Sequence, residues 1–229
     1  MIQSRLSGNW RLDEGQGRVA FDTSGNNSNG LLDSTLPGAS TLPIWITGRA
    51  PNAAALRFNG KNFVKIADSS GLEPPTITVE SWVRSNDPGN FSHILSKGAD
   101  RCFAASYGLT PGSTQGLSFY VYSGLGSTYI RSPDAGNSVW DGTWHHIAGT
   151  FDGSTVRLYV DGNQVGMGTA SPSKIVIAYD LPFQDFYIAT YYGSCEMGFV
   201  GDISEVRVWN CALSSNEVLL CAQETKENP

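Results

Sequence analysis

The residues best suited to bind a ligand are aromatic and lie on a segment with strand-like alternation. In residues 117–122 every second residue is apolar, so Tyr120 and Tyr122 point away from the core-facing set. On a strand these two rings stand about 7 Å apart. An exposed ring offers a flat apolar surface to the C–H face of a sugar, and tyrosine keeps a polar tip for the sugar's hydroxyl groups. The segment therefore predicts a carbohydrate-binding surface.

Other residues extend this predicted surface. Tyr191 and Tyr192 lie in a glycine-flanked segment that is typical of a loop, and Tyr107 and Arg131 are candidate partners for them. The competing interpretation is that these rings pack beneath loops, which is the commoner position for any single tyrosine. The predicted ligand-binding set is Tyr107, Tyr120, Tyr122, Arg131, Tyr191 and Tyr192.

A loop near the start of the chain is rich in the oxygen atoms that calcium prefers. Residues 22–30 read Asp-Thr-Ser-Gly-Asn-Asn-Ser-Asn-Gly, and their carboxylate, amide and backbone oxygens suit a calcium shell. Asp22 and Asn26 are the candidate ligands. The alternative is an Asx-rich turn that is stabilised by its own side chains.

Alternation with a period of two residues runs along most of the chain and predicts an all-β fold. Asp152-Gly153-Ser154 predicts a hairpin turn, because Asp-Gly accepts the positive φ that tight turns require. The one predicted helix follows Ser214, with Glu217 at capping-box spacing. Strands are predicted at residues 55–59, 63–66, 76–84, 117–122, 146–151, 155–160, 186–189 and 203–209.

Length and charge narrow the classes of protein. The 229 residues favour a single domain over residues 1–222 with a polar tail at 223–229. A net charge of −6 without a run of Lys or Arg argues against nucleic acid as a partner. No stretch approaches the roughly 18 consecutive apolar residues of a membrane span.

The four cysteines lack the spacing of a zinc cluster, because no C-x-x-C pair occurs. They are Cys102, Cys195, Cys211 and Cys221. Three disulfide pairings are open, of which Cys211 with Cys221 is the most local, and free buried thiols are the alternative.

Several motifs occur in an order that is informative as a whole. The most specific are Trp-His-His-Ile-Ala-Gly-Thr-Phe-Asp-Gly at 144–153 and Leu-Tyr-Val-Asp-Gly at 158–162. Segments 10–30, 54–60, 78–83 and 201–217 add to them, so nearly the whole chain resembles the laminin G-like jelly-roll domains of the concanavalin A-like lectin/glucanase superfamily. The resemblance implies a sandwich of two antiparallel sheets. Trp82, Trp144 and Trp209 lie in these strand motifs and are expected in the core.

Members of this family mostly bind sugars, glycosaminoglycans or proteins, and many hold calcium. The resemblance therefore implies a lectin-like, calcium-assisted carbohydrate-binding domain, with a protein-interaction or adhesion domain as the alternative. It also places the closing strand near the N-terminal loop, which would bring Asp202 close to Asp22. Many relatives have Asp where this chain has Ser204, so the acidic ligand is displaced to Asp202 or is missing. The predicted calcium ligands are Asp22, Asn26 and Asp202.

The sequence lacks the patterns expected of an enzyme on such strands. A retaining glycosidase needs two carboxyl groups about 5–5.5 Å apart, and the corresponding Glu-x-Asp-x-x-Glu pattern is absent, as is Gly-x-Ser-x-Gly. His145 and His146 would point to opposite faces of a strand, and with His93 they are expected to be structural. We expect a non-catalytic, secreted or extracellular module whose signal lies outside this sequence. A glycan-active hydrolase or lyase with an unrecognised site is the least favoured alternative.

Overall fold

A computed structural model describes residues 5–35, 41–50, 53–99, 105–112, 114–124, 129–171, 174–191 and 197–224. Two antiparallel sheets and one short C-terminal helix account for the regular structure, which confirms the predicted all-β sandwich. The strands are β1 (Leu6–Trp10), β2 (Val19–Ala20), β3 (Gly30–Ser34), β4 (Ile44–Thr47), β5 (Ala54–Asn59), β6 (Asn62–Ile66), β7 (Ile77–Arg84), β8 (Leu95–Ala99), β9 (Tyr107–Thr110), β10 (Ser118–Tyr122), β11 (Tyr129–Arg131), β12 (His145–Phe151), β13 (Thr155–Val160), β14 (Asn163–Gln164), β15 (Thr169–Ala170), β16 (Phe183–Ile188) and β17 (Val200–Trp209), and the helix is α1 (Ser215–Gln223).

The strand order divides the chain between the two sheets. The first sheet runs β14-β13-β12-β7-β17-β5-β4, with β1 paired to β17 and β15 paired to β13. The second sheet runs β11-β10-β9-β8-β16-β6-β3-β2, so β11 and β2 lie at its opposite edges. Neighbours in space are often distant in sequence, as in β17 with β7 and β5.

The core lies between the sheets and follows the predicted alternation. Phe119 and Val121 of β10 are fully buried in it, and Trp10 stacks on Phe186 with ring centroids 5.2 Å apart. Burying each such aromatic ring removes roughly 150–250 Å² from water, so these side chains contribute much of the hydrophobic stabilisation.

Two of the three tryptophans expected in the core lie on the outside of the first sheet. Trp82 alternates with the core residue Val83, so it faces outward, where Arg49 lies 3.9 Å above its ring. Trp144 is half-buried under Arg84 at 4.8 Å. Trp209 is buried, but in a separate cluster beneath α1 rather than in the main core.

The predicted turn and helix start are both present. Asp152 Oδ1 accepts hydrogen bonds from the backbone of Ser154 and Thr155, and Gly153 has a φ of +93°. At the start of α1, the Ser214 and Glu217 side chains cap each other's backbone amides. These contacts are local, which is why the sequence predicts them correctly.

The Cys211–Cys221 pairing does not form, because both residues carry free thiols. Cys102 and Cys195 lie outside the described residues. Within the described ranges, α1 is the one α-helix, and no helix there has the length and apolar character that crossing a bilayer requires.

Gly149 tests how tightly the two sheets pack. A Cβ at this position of β12 would overlap the Phe119 ring of β10. We expect Gly149→Ala to destabilise the fold by about 1–3 kcal/mol and to lower Tm by roughly 2–4 °C per kcal/mol. Gly71→Ala is the control, since its Cβ would meet nothing closer than 3.9 Å. Equal melting temperatures for both variants in calorimetry would contradict this packing.

Candidate functional site

A pocket of about 340 Å³ opens on the outer face of the second sheet, near the edge formed by β11. It lies where β9, β10 and β11 present their outward residues to chain segments that cross the sheet. The lining residues are Phe91, His93, Thr110, Gly112, Tyr120, Tyr129, Arg131, Tyr191 and Met197.

Strand pairing brings the charged and aromatic lining residues together. Tyr120 of β10 pairs with Arg131 of β11, and the next outward pair is Tyr122 with Tyr129. Ile130 between them is buried in the core, so Tyr129 and Arg131 must face outward. The Tyr129 ring packs against Tyr120 and Tyr122, with centroids 5.7 and 5.3 Å apart.

Glycine on the neighbouring strand leaves room for the rings. Gly108 of β9 pairs with Tyr120, and a Cβ there would lie 3.1 Å from both the Tyr120 ring and the His93 ring. Such an approach is tighter than ordinary van der Waals contact. The absence of a side chain at Gly108 therefore leaves room for both rings, which meet edge to face with centroids 5.9 Å apart.

A buried chain of hydrogen bonds fixes the base of the pocket. The carbonyl oxygen of Phe91 lies 3.2 Å from His93 Nδ1 and can only accept, so Nδ1 carries the proton. His93 Nε2 then accepts a hydrogen bond from the Tyr120 hydroxyl at 3.0 Å. The same hydroxyl accepts from the backbone amide of Ala105 at 3.3 Å. Burial lowers the pKa of His93 to about 3 and raises the pKa of Tyr120, so both groups are neutral.

The turn before His93 holds an apolar ring at the pocket rim. The Ser92 hydroxyl contacts the carbonyls of Pro88 and Gly89, and Thr110 Oγ1 donates to the Ser92 carbonyl at 2.8 Å. Within this turn Phe91 has a φ of +54° and is 53% exposed. A left-handed backbone costs a non-glycine residue roughly 1–2 kcal/mol, and strain of this kind concentrates at functional sites.

The solvent-facing part of the pocket consists of apolar rings and one cation. Phe91 and Tyr129, the latter 38% exposed, supply the apolar surface. Arg131 is also exposed, and its guanidinium lies 5.8 Å from the centroid of the Tyr120 ring. None of the described lining residues is Asp or Glu, so Arg131 is the only charged group among them.

Three residues of the predicted ligand-binding set meet in this pocket. Arg131 faces the opening, whereas Tyr120 and Tyr191 are only 3% and 2% exposed and form its base. The expectation that Tyr120 and Tyr122 form an exposed platform is therefore wrong, because segments crossing the sheet cover that face. Tyr122 packs under Tyr129 and against Leu181.

Two other residues of that set do not line the pocket. Tyr107 points into the core, since it pairs with the inward-facing Val121, and its hydroxyl donates to the Leu72 carbonyl at 3.0 Å. Its prediction as a ligand contact is wrong for this reason. Tyr192 lies outside the described residues.

Sequence reasoning missed six lining residues: Phe91, His93, Thr110, Gly112, Tyr129 and Met197. One signal was present, because Tyr129-Ile130-Arg131 has the same alternation that identified Tyr120. The others depend on long-range contacts, such as the hydrogen bond from the His93 amide to the Met197 carbonyl.

The predicted calcium ligands do not form one site. Trp10 forms an isolated β-bridge with Asp22 on one side and pairs with Val206 of β17 on the other. Asp202 comes four residues before Val206 in β17, which separates these two residues by roughly 13 Å at about 3.3 Å per residue. Calcium ligands lie only about 2.3–2.6 Å from the ion, so one ion cannot join both carboxylates.

Protein donors already occupy the carboxylates of Asp22 and Asp202, and Asn26 is engaged through its amide nitrogen. The Asp22 carboxylate accepts three backbone amides, from Asn9, Ser24 and Ser28, at 2.9–3.0 Å. Asn26 Nδ2 donates to the backbone carbonyls of Leu6 and Ser7 in β1. The loop thus has the Asx-turn arrangement that was the alternative interpretation.

Two arginines surround Asp202. Arg57 and Arg84 each donate through Nε and Nη2 to its carboxylate, at 2.7–3.0 Å. Two positive charges at this distance repel a metal ion. Among the described residues, no group of three or more His, Cys, Asp or Glu side chains is placed to hold a metal.

The same Asp202 cluster lines a second depression of about 370 Å³ on the first sheet. Its two arginines share the carboxylate of Asp202, and Asp87 also lines the depression, so the positive and negative charges of the described lining balance. Its described lining holds one aromatic ring, Phe58, and that ring is buried. The pocket on the second sheet therefore has the better surface for a ligand.

Comparison with known proteins agrees with this architecture. The Laminin_G_3 family model, described as the concanavalin A-like lectin/glucanases superfamily, matches residues 58–219. The chain belongs to this family, which confirms the resemblance in the sequence. A curated relative, pappalysin-1 of Mus musculus, is 24% identical over 183 residues, which cover 74% of this chain and 11% of that protein. The chain thus spans about a tenth of that relative's length.

Solved structures with the same fold include several binding domains. Domain 4 of AbnA, a GH43 extracellular arabinanase from Geobacillus stearothermophilus in complex with arabinotriose, has a TM-score of 0.70 at 17% identity, covering 96% of this chain and 98% of that one. The binding domain of Paraclostridial Mosquitocidal Protein 1 has a TM-score of 0.70 at 13% identity, covering 97% of this chain and 52% of that one. The Ruminococcus gnavus IT-sialidase CBM40 bound to alpha2,3 sialyllactose has a TM-score of 0.55 at 13% identity, covering 66% of this chain and 84% of that one. At these identities the similarity shows the fold alone.

The protonation state of His93 is directly measurable. We expect its ring to stay neutral, with the proton on Nδ1, from pH 7 down to about pH 4.5 in NMR titrations, because burial holds the pKa near 3. His145 is the internal comparison: burial opposes its charge, but the hydrogen bonds that its ring donates to the carboxylates of Asp161 and Asp141 raise its pKa above 6.5.

The lowered pKa of His93 also makes the free energy of unfolding depend on pH. His93 takes up a proton near pH 6.5 in the unfolded chain but only near pH 3 in the folded protein. The stability that neutral His93 contributes is therefore complete above pH 6.5 and is lost as the pH falls toward 3. A His93 midpoint near 6.5 would contradict the buried hydrogen-bond chain.

Proposed function

We propose that this chain is a carbohydrate-binding module that holds a sugar in the pocket between Phe91, Tyr129 and Arg131. The observation that carries the proposal is the exposure of two aromatic rings at the rim of a preformed pocket. Aromatic faces stack on the C–H face of a sugar, and the guanidinium supplies planar hydrogen-bond donors for its oxygens.

The size and shape of the pocket favour a short ligand. Its volume of about 340 Å³ is at the lower end of the range of about 300–1,000 Å³ for small-molecule sites. One sugar residue at the end of a glycan suits this space better than a long polysaccharide. Affinity at one such site is weak, and it rises when several modules act together.

Binding without catalysis fits the lining. Glycoside hydrolysis ordinarily needs two carboxyl groups beside the scissile bond, and the described lining supplies none. Both nitrogens of His93 are engaged with Phe91 and Tyr120, so His93 has no lone pair left to act as a base. We propose an extracellular binding role, and the arabinotriose and sialyllactose complexes of its structural neighbours support it.

Removal of the rim rings tests the proposal. We expect Phe91→Ala and Tyr129→Ala each to weaken binding to glycans found on an array about tenfold, equivalent to about 1.4 kcal/mol, because each removes an apolar contact. Isothermal titration calorimetry measures the affinities. Phe21→Ala is the matched control, since Phe21 is 54% exposed and follows β2 at the opposite edge of the same sheet.

The outcomes separate the alternatives. Unchanged affinity in both rim variants, with normal melting temperatures, would remove the pocket from the binding site. An array without signal would instead favour the protein-interaction alternative, for which exposed aromatic and arginine side chains are also typical. Turnover of a bound oligosaccharide would show an enzyme.

The family resemblance predicts a calcium ion that is either structural or ligand-assisting, and the described pocket lining favours the structural role. We expect the same glycan affinity in calcium and in excess chelator, because the described pocket lining contains no carboxylate. A loss of affinity in chelator, restored by calcium, would show that an ion supports the site.

A further inference from the structure

We propose that this pocket selects sugars that carry a single acidic group, a carboxylate or a sulfate ester, and that Arg131 is the residue that determines this specificity. The inference rests on the proposed carbohydrate-binding function and adds the class of sugar.

Among the described residues, Arg131 is one of two arginines without an ion pair, and it is the one that lines the pocket. Within the described ranges, every arginine except Arg18 and Arg131 makes an ion pair with Asp or Glu. The chain carries 21 acidic and 15 basic side chains, so partners are in excess. A cation in a pocket whose described lining holds no acidic residue is therefore available to an anionic ligand.

The surroundings of Arg131 hold its guanidinium in place. Its strand pairs with β10, and the guanidinium lies over the Tyr120 ring at 5.8 Å. On its other side lies Gly112, where even an added Cβ would remain 3.7 Å from Nη1. The guanidinium thus keeps an open side with several N–H donors, which match a carboxylate or sulfate in a bidentate arrangement.

The environment strengthens such a contact. The rings of Tyr120, Tyr129 and Phe91 line the pocket together with this cation, and His93 is neutral, so no other residue of the described lining carries a competing charge. Charges attract more strongly where apolar groups displace water. The aromatic rim holds the sugar ring while Arg131 holds the acid.

A single cation also limits the class of ligand. A long polyanion is bound through many Lys and Arg side chains, and affinity then falls steeply with salt. The described lining of this pocket offers one such charge, in a chain with a net charge of −6. The ligand is therefore a terminal acidic sugar rather than a polysulfated chain.

Matched saccharides test the assignment. The probes are lactose, lactose with one sulfate ester, and alpha2,3 sialyllactose, titrated by calorimetry into the wild type and into Arg131→Gln, Arg131→Lys and Arg18→Gln. We expect at least one acidic probe to bind the wild type about tenfold more tightly than lactose. In Arg131→Gln the ratio of the affinity for the acidic probe to the affinity for lactose falls toward one. Arg131→Lys keeps the positive charge but loses the paired N–H donors of the guanidinium, so its ratio is intermediate. Arg18→Gln keeps the full ratio, because Arg18 precedes β2 at the far edge of the sheet.

The failures are distinguishable. Lactose binding as tight as both acidic probes, or a preference that survives Arg131→Gln, would overturn this inference and leave the carbohydrate-binding function standing. Tighter binding of a heparin oligosaccharide than of either acidic probe, with a steep salt dependence, would also overturn it. Absence of binding to any saccharide would overturn the proposed function as well.

Discussion

The buried hydrogen bond between the Tyr120 hydroxyl and His93 Nε2 is the contact on which the candidate site depends. It joins the outer face of the second sheet to the segment that crosses that face. Because burial keeps both groups neutral, the pair can lie in an apolar environment without an unpaired charge. With this base fixed, Tyr129 and Arg131 stand beside it, and the turn before His93 presents Phe91 at the rim.

Local patterns in the sequence predict much of the fold. The alternation in 117–122 assigns Phe119 to the core, the Asp-Gly turn predicts the hairpin, and the capping box predicts the start of the helix. Each prediction depends on neighbours within a few residues. The same alternation does not say what covers the outer face of a strand, which is why Tyr120 is buried rather than exposed and Trp82 lies outside the core.

The site is less predictable, because distant segments build it. The Phe91 amide donates to the Gly112 carbonyl and the His93 amide to the Met197 carbonyl, and no local pattern marks either contact. The same limit applies to Asp202, whose expected role as a metal ligand gives way to its ion pairs with Arg57 and Arg84 from two neighbouring strands. Within the described residues most arginines form ion pairs with acidic side chains, and Arg131 is the arginine without such a pair that lines the pocket.

A structure of the chain with a bound saccharide tests the central claim most directly. We expect the sugar ring to contact Phe91 and Tyr129, with its oxygens within hydrogen-bond distance of Arg131. A saccharide bound at the depression beside Asp202, or anywhere else on the sandwich while this pocket holds none, would contradict the account.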